Sequence, residues 1–132
     1  MSTSQPTSFL RNALLIDAVA SGGTGLLMIA GAGFLDGLLG LPAALLRGAG
    51  LVLVPYVAFV VWTGTRARIP TAGVWTIIVA NAAWAIASAF LLMGTLSPTL
   101  LGYVFVIGQA LVVALLGEVQ YVGLKRQAAA IA

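Results

Sequence analysis

The chain has 132 residues, of which 61% are hydrophobic and only 7% charged, with a net charge of +3 and a mean hydropathy of +1.13. A soluble domain carries about a quarter of its residues as charged side chains, so six basic and three acidic groups cannot clothe this chain in water, and hydrocarbon is its expected surroundings. Neither Cys nor His occurs, which excludes disulfides, thiolate nucleophiles, imidazole bases and the commonest zinc and haem ligands. Without a nucleophile and base pair, no enzyme is expected, and neither is a metal or a cofactor.

About 20 helical residues cross a hydrocarbon core of about 30 Å. Four stretches reach that length, from about Phe9 to Gly33, Ala43 to Thr65, Ala72 to Met93 and Thr99 to Leu124. In the first, Asp17, Ser21 and Thr24 stand at i, i+4 and i+7 and form one polar stripe. A carboxylate about two turns below the membrane surface costs up to about 3 kcal/mol unless it is paired or protonated. Two readings follow for Asp17: a titratable transport or ligand group, or a structural acceptor served by another helix or by Arg11, Arg66 or Arg68. Gly22-Gly23-Thr24-Gly25 has neither the preceding strand nor the following Gly-Lys-Ser/Thr of a phosphate loop, so it reads as local looseness or a close helix crossing. Ala30-Gly31-Ala32 has the small-x-small form of a signal-peptide cleavage site. The apolar stretch before it is over-long and holds Asp17, so an uncleaved span is the expectation.

Phe34 to Leu41 is too apolar for a water-filled loop and reads as a short turn or half-helix in the interface. Pro42, Pro70 and Pro98 each precede a span, as Pro6 precedes the first, where a missing N–H costs little. Pro55 lies inside the second span, removes a hydrogen bond from the Leu51 carbonyl and is expected to bend the helix. Tyr56 and Thr63, seven apart, add polar groups to that helix. In the third span Asn81 reaches a depth comparable with Asp17, so the two can meet across the bundle, and Ser88 continues its stripe. The fourth span carries Gln109 and Gln120 on one face, near the line of Gly102 and Leu116. Glu118 points roughly 160–180° away from both at about 100° per residue, and is expected to snorkel to the cytoplasmic interface near Lys125, the alternative being that it faces a neighbouring subunit.

The short connections Arg66–Thr71 and Gly94–Pro98 predict that sequential helices are antiparallel neighbours in an up-down four-helix bundle, a single integral membrane domain. Small pairs that allow close approach are Ser21 and Gly25, Ala83 and Ala87, and Ala110 and Ala114. A shift of 64 residues lays the first span over the third, matching Asp17, Ser21 and Thr24 with Asn81, Ala85 and Ser88, and Gly31 with Thr95. The second and fourth spans align more loosely through Pro42-Ala-Ala-Leu-Leu and Pro98-Thr-Leu-Leu. Two tandem hairpins related by a pseudo-twofold axis along the membrane normal would produce this pattern.

Arg11, Arg66, Arg68, Lys125 and Arg126 fall on the side shared by both termini, against Arg47 with Asp36 on the other, which predicts cytoplasmic termini. Trp62, Trp75 and Tyr121 stand at the same face, as an interfacial aromatic belt requires. The basic residues are scattered, so no nucleic-acid partner is expected. The sequence thus reads as a multi-pass protein of a bacterial inner (plasma) membrane. Its expected role is that of an oligomeric or accessory subunit without catalytic machinery that binds a protein or lipid partner. The alternative is a minimal homo-oligomeric transporter or channel using Asp17, with Ser21, Thr24, Asn81 and Gln109 along the route.

Overall fold

The computed structural model describes the backbone of residues 4–94 and 96–131 and the side chains of residues 8–94 and 96–129. The described residues form five helices: α1 (Ser4–Ala30), α2 (Ala32–Leu39), α3 (Ala43–Gly64), α4 (Thr71–Met93) and α5 (Leu100–Ile131). All but the eight-residue α2 are long and apolar enough to cross a membrane.

The helix limits follow local chemistry. Pro42 and Pro70 cap α3 and α4 in extended conformation, where proline's missing donor is harmless. Asp36 accepts the Ala43 N–H at 3.0 Å, so α2 supplies a side-chain cap to α3 that Pro42 cannot. Gly40, at φ 68°, ends α2 in the left-handed region that favours glycine. α3 runs unbroken through Pro55.

Three limits differ from the sequence expectation. The first span stops at Ala30 rather than Gly33, and the interfacial half-helix starts two residues after it. Gly31 marks the change, although its N–H still bonds to the Leu27 carbonyl at 2.8 Å. Pro6 falls inside the first turn of α1 instead of before it, a place proline tolerates. α5 continues beyond Leu124 to Ile131, because Lys, Arg, Gln and Ala end an apolar run without ending a helix. Gln127 ties that extension to the Ile69 carbonyl at 3.3 Å. Thr95, the expected counterpart of Gly31, lies outside the described residues.

Packing departs from simple succession. α1 packs most closely on α3, α4 on α5, and α1 on α5, whereas α3 and α4 scarcely approach one another. The expectation that every pair of sequential helices packs side by side is therefore corrected for α3 and α4. Their short loop fixes only their ends, and surface fit decides the rest. Glycines draw the other pairs together: a Cβ on Gly50 would stand 2.9 Å from the Gly25 carbonyl, and one on Gly123 would stand 3.1 Å from the Leu10 Cα. Of the proposed small-residue pairs, Gly25 belongs to a tight seam, while Ser21, Ala83 and Ala87 border a cleft.

Two apolar cores result. One gathers Leu10, Leu14, Val60, Val74, Ile77 and Leu124, and the other Met28, Leu35, Leu39, Leu46, Leu53 and Val106. Arg11 donates to the Arg66 carbonyl at 2.9 Å, and Arg126 lies over the Phe9 ring at 4.5 Å. The beginning of α1, the α3–α4 loop and the end of α5 therefore share one end of the molecule, with α2 at the other. Trp62, Trp75 and Tyr121 also gather at the first end, with Arg66 over Trp62 at 5.0 Å and Trp75 edge-on to Tyr121 at 5.7 Å.

Candidate intramembrane polar site

Between the two apolar cores, each long helix contributes a polar side chain to one cluster. Asp17 of α1 is 0% exposed. Its Oδ1 accepts from Ser21, one turn on, at 2.9 Å. Its Oδ2 accepts from Gln120 of α5 at 2.7 Å, from Tyr56 of α3 at 2.6 Å and from the Asn81 amide of α4 at 3.3 Å. Asn81 also donates to Gln120 Oε1 at 2.9 Å. The partners are all neutral and none is an arginine, so the reading of Asp17 as the partner of Arg11, Arg66 or Arg68 is set aside in favour of a helix-tying acceptor. In a medium of low dielectric such a group is tolerable only when its lone pairs are used, and four donors supply that.

A second polar group lies deeper along the same seam. Gln109 of α5 accepts from Trp84 Nε1 at 2.7 Å and donates to Ser88 Oγ at 2.9 Å and to the Val106 carbonyl at 2.9 Å. It ties α5 to α4 but does not reach Asp17. Thr24 touches neither group and lines the neighbouring cleft. Glu118 is exposed, as its position on the helical wheel requires. Thr63 is fully buried, and its hydroxyl finds no partner among the described residues.

The cleft opens where α3 and α4 part. Its volume is about 500 Å³, and its lining comes from α1, α3, α4 and α5 and includes Val52, Leu53, Ala83, Ala87 and Val112. Val52 and Val112 are 59% and 50% exposed, so the mouth lies at the middle of the long helices. Its lining includes no charged side chain. Polar atoms enter from Ser21, Tyr56 and Asn81, the outer members of the Asp17 cluster, and from Trp84 and Gln109. The carboxylate itself stays behind this layer.

Of the five candidate residues, Asp17, Ser21 and Asn81 come together, Thr24 borders the cleft and Gln109 serves a separate tie. Tyr56 and Gln120 complete the cluster, and a signal for them stood in the sequence: they are separated by the same 64 residues as Asp17 and Asn81. The tie of Trp84 to Gln109 carried no such signal, since a tryptophan in an apolar span reads as packing. Compared with known proteins, the chain matches no family model, no curated protein and no solved structure.

Proposed function

We propose that the chain is a multi-pass membrane protein without catalytic machinery that holds one lipid-like molecule in the cleft between α3 and α4. The observation that carries this reading is the cleft itself: about 500 Å³, inside the range of roughly 300–1,000 Å³ common to ligand sites, mostly apolar, and open sideways at mid-span. An occupant reaching such a mouth comes from the hydrocarbon. The reading places both termini on the cytoplasmic side of a plasma membrane, with the long helices as an antiparallel up-down bundle of two tandem hairpins. Five of the six basic residues stand on the terminal side, which supports that orientation. Exposed apolar faces on every long helix suit lipid contact or self-association into a homo-oligomer or larger complex.

Trp84, which lines the cleft, reports on its occupancy. In a Trp62→Phe, Trp75→Phe background, a mid-chain brominated hexadecyl methyl ether in detergent micelles is expected to quench Trp84 fluorescence saturably, and Ala87→Phe to remove the saturable part. Quenching that rises linearly and equally in both proteins would overturn the reading.

A transport role stands second, favoured by one observation: Asp17 lies one hydrogen bond behind the cleft, through Tyr56 and Asn81. Ligand-driven proton release from proteoliposomes is the measurement, and release unchanged by Asp17→Asn would remove this reading.

A further inference from the structure

The polar end of the cleft has an uneven supply of protons. Tyr56 Oη lies 2.6 Å from Asp17 Oδ2 and 3.0 Å from Asn81 Oδ1. Both neighbours are acceptors, and a phenol has one proton. The other hydrogens are committed elsewhere: the Asn81 amide donates to Gln120 Oε1 and Asp17 Oδ2, Gln120 donates to Asp17 Oδ2, and Ser21 donates to Asp17 Oδ1. If Asp17 is ionised, it accepts only, and its short contact takes the Tyr56 proton. Asn81 Oδ1 is then left without a donor beside the cleft that Asn81 and Tyr56 line. If Asp17 is protonated, it can donate to Tyr56 Oη, Tyr56 turns its own proton to Asn81 Oδ1, and the spare acceptor disappears.

We propose that the cleft selects amphiphiles whose head is a hydrogen-bond donor, a hydroxyl or an ammonium, and that Asn81 Oδ1 receives this donor only while Asp17 is ionised. The proposal rests on the lipid-like occupant argued above and specifies its head group. An anionic head finds no cation there, because the lining carries no Lys or Arg. A head without a donor leaves Asn81 Oδ1 buried and unpaired, and a buried acceptor without a partner is costly. The groups facing Asp17 are Ser21 from α1, Tyr56 from α3, Asn81 from α4 and Gln120 from α5. Tyr56 is the one titratable member among them. Every other charged side chain of the protein is exposed or half-exposed, so Asp17 is the buried carboxyl that meets the Tyr56 hydroxyl.

The test uses the Trp84 quenching assay with one brominated hexadecyl chain bearing four heads: alcohol, primary ammonium, carboxylate and methyl ether. At neutral pH the alcohol and the ammonium are expected to bind about tenfold more tightly than the methyl ether, the worth of one hydrogen bond, and the carboxylate no better than the ether. The alcohol-to-ether ratio should fall toward one as the pH is lowered. In Tyr56→Phe, which keeps the ring but carries no proton to move, the ratio should no longer depend on pH. Equal binding of alcohol and ether in the wild-type protein, or a ratio that stays constant across pH, overturns the proposal while leaving the lipid-like occupant in place. Failure of every probe to bind saturably overturns both. The wild-type series decides the matter even where the variant does not fold.

Discussion

At the scale of the residue, Asp17 and Thr63 are two buried polar groups with opposite consequences. Asp17 is saturated with donors from four helices, and its removal would strand Tyr56, Asn81 and Gln120 together. Asp17→Ala is therefore expected to destabilise the folded protein by about 3 kcal/mol in denaturation by SDS from mild detergent, since the loss is that of desolvated groups left unpaired. Asp17→Asn, which keeps the shape and one acceptor, should cost clearly less. Equal losses in the two variants would mean that the cluster contributes packing rather than hydrogen bonding. Thr63 is the reverse case, with a buried hydroxyl that finds no partner among the described residues. Thr63→Val replaces it with a methyl group of similar size, and the same denaturation assay should show a gain of about 1 kcal/mol. A loss of stability would show that the hydroxyl is satisfied.

At the scale of the element, what the sequence revealed depended on whether the signal was local. Four apolar runs, prolines at the starts of spans and the FLDGLLGL half-helix were legible because each rests on neighbouring residues. The meeting of Asp17 with Asn81 was legible because helical rise converts position into depth. The separation of α3 from α4 was not, because it depends on how closely backbones pass at Gly25, Gly50 and Gly123, and a glycine in an apolar span does not name its partner. For the same reason the cleft could not be foreseen from Ala83 and Ala87, which read as a packing pair. The role of Asp36 also escaped notice: a charge counted toward orientation proves to cap α3 through Ala43 at 3.0 Å. Asp36→Ala is expected to lower stability by about 1 kcal/mol, the usual worth of a side-chain cap, with Asp36→Asn recovering most of it. Gly50→Val tests the crossing of α3 over α1, where even a Cβ would stand 2.7 Å from Ile29 and 2.9 Å from the Gly25 carbonyl. Overpacking there should cost about 1–3 kcal/mol, whereas Gly48→Val on the same helix, where a Cβ meets nothing within 4 Å, should be far milder.

At the scale of the whole molecule, the helices make two close pairs, α1 with α3 and α4 with α5, joined through α1 and α5 and apart at α3 and α4. The cleft lies at the open seam, where α3 and α4 stand apart. The membrane reading proposed above has the long helices cross the same slab of hydrocarbon, with the beginning of α1 and the end of α5 together on one side. The contacts of Arg126 with Phe9 and of Gln127 with Ile69 already hold those segments side by side. A chain that lacks cysteine allows this to be tested with single introduced thiols at the exposed positions Ser8, Gly37 and Ala128. In intact spheroplasts an impermeant maleimide should label Gly37→Cys in α2, and should reach Ser8→Cys and Ala128→Cys only after the membrane is opened. Labelling of Ser8→Cys and Ala128→Cys from opposite faces would require one helix to leave the bilayer. The Asp17 cluster could not then lie at a common depth on all four long helices, and the cleft between α3 and α4 would lose its access from the hydrocarbon.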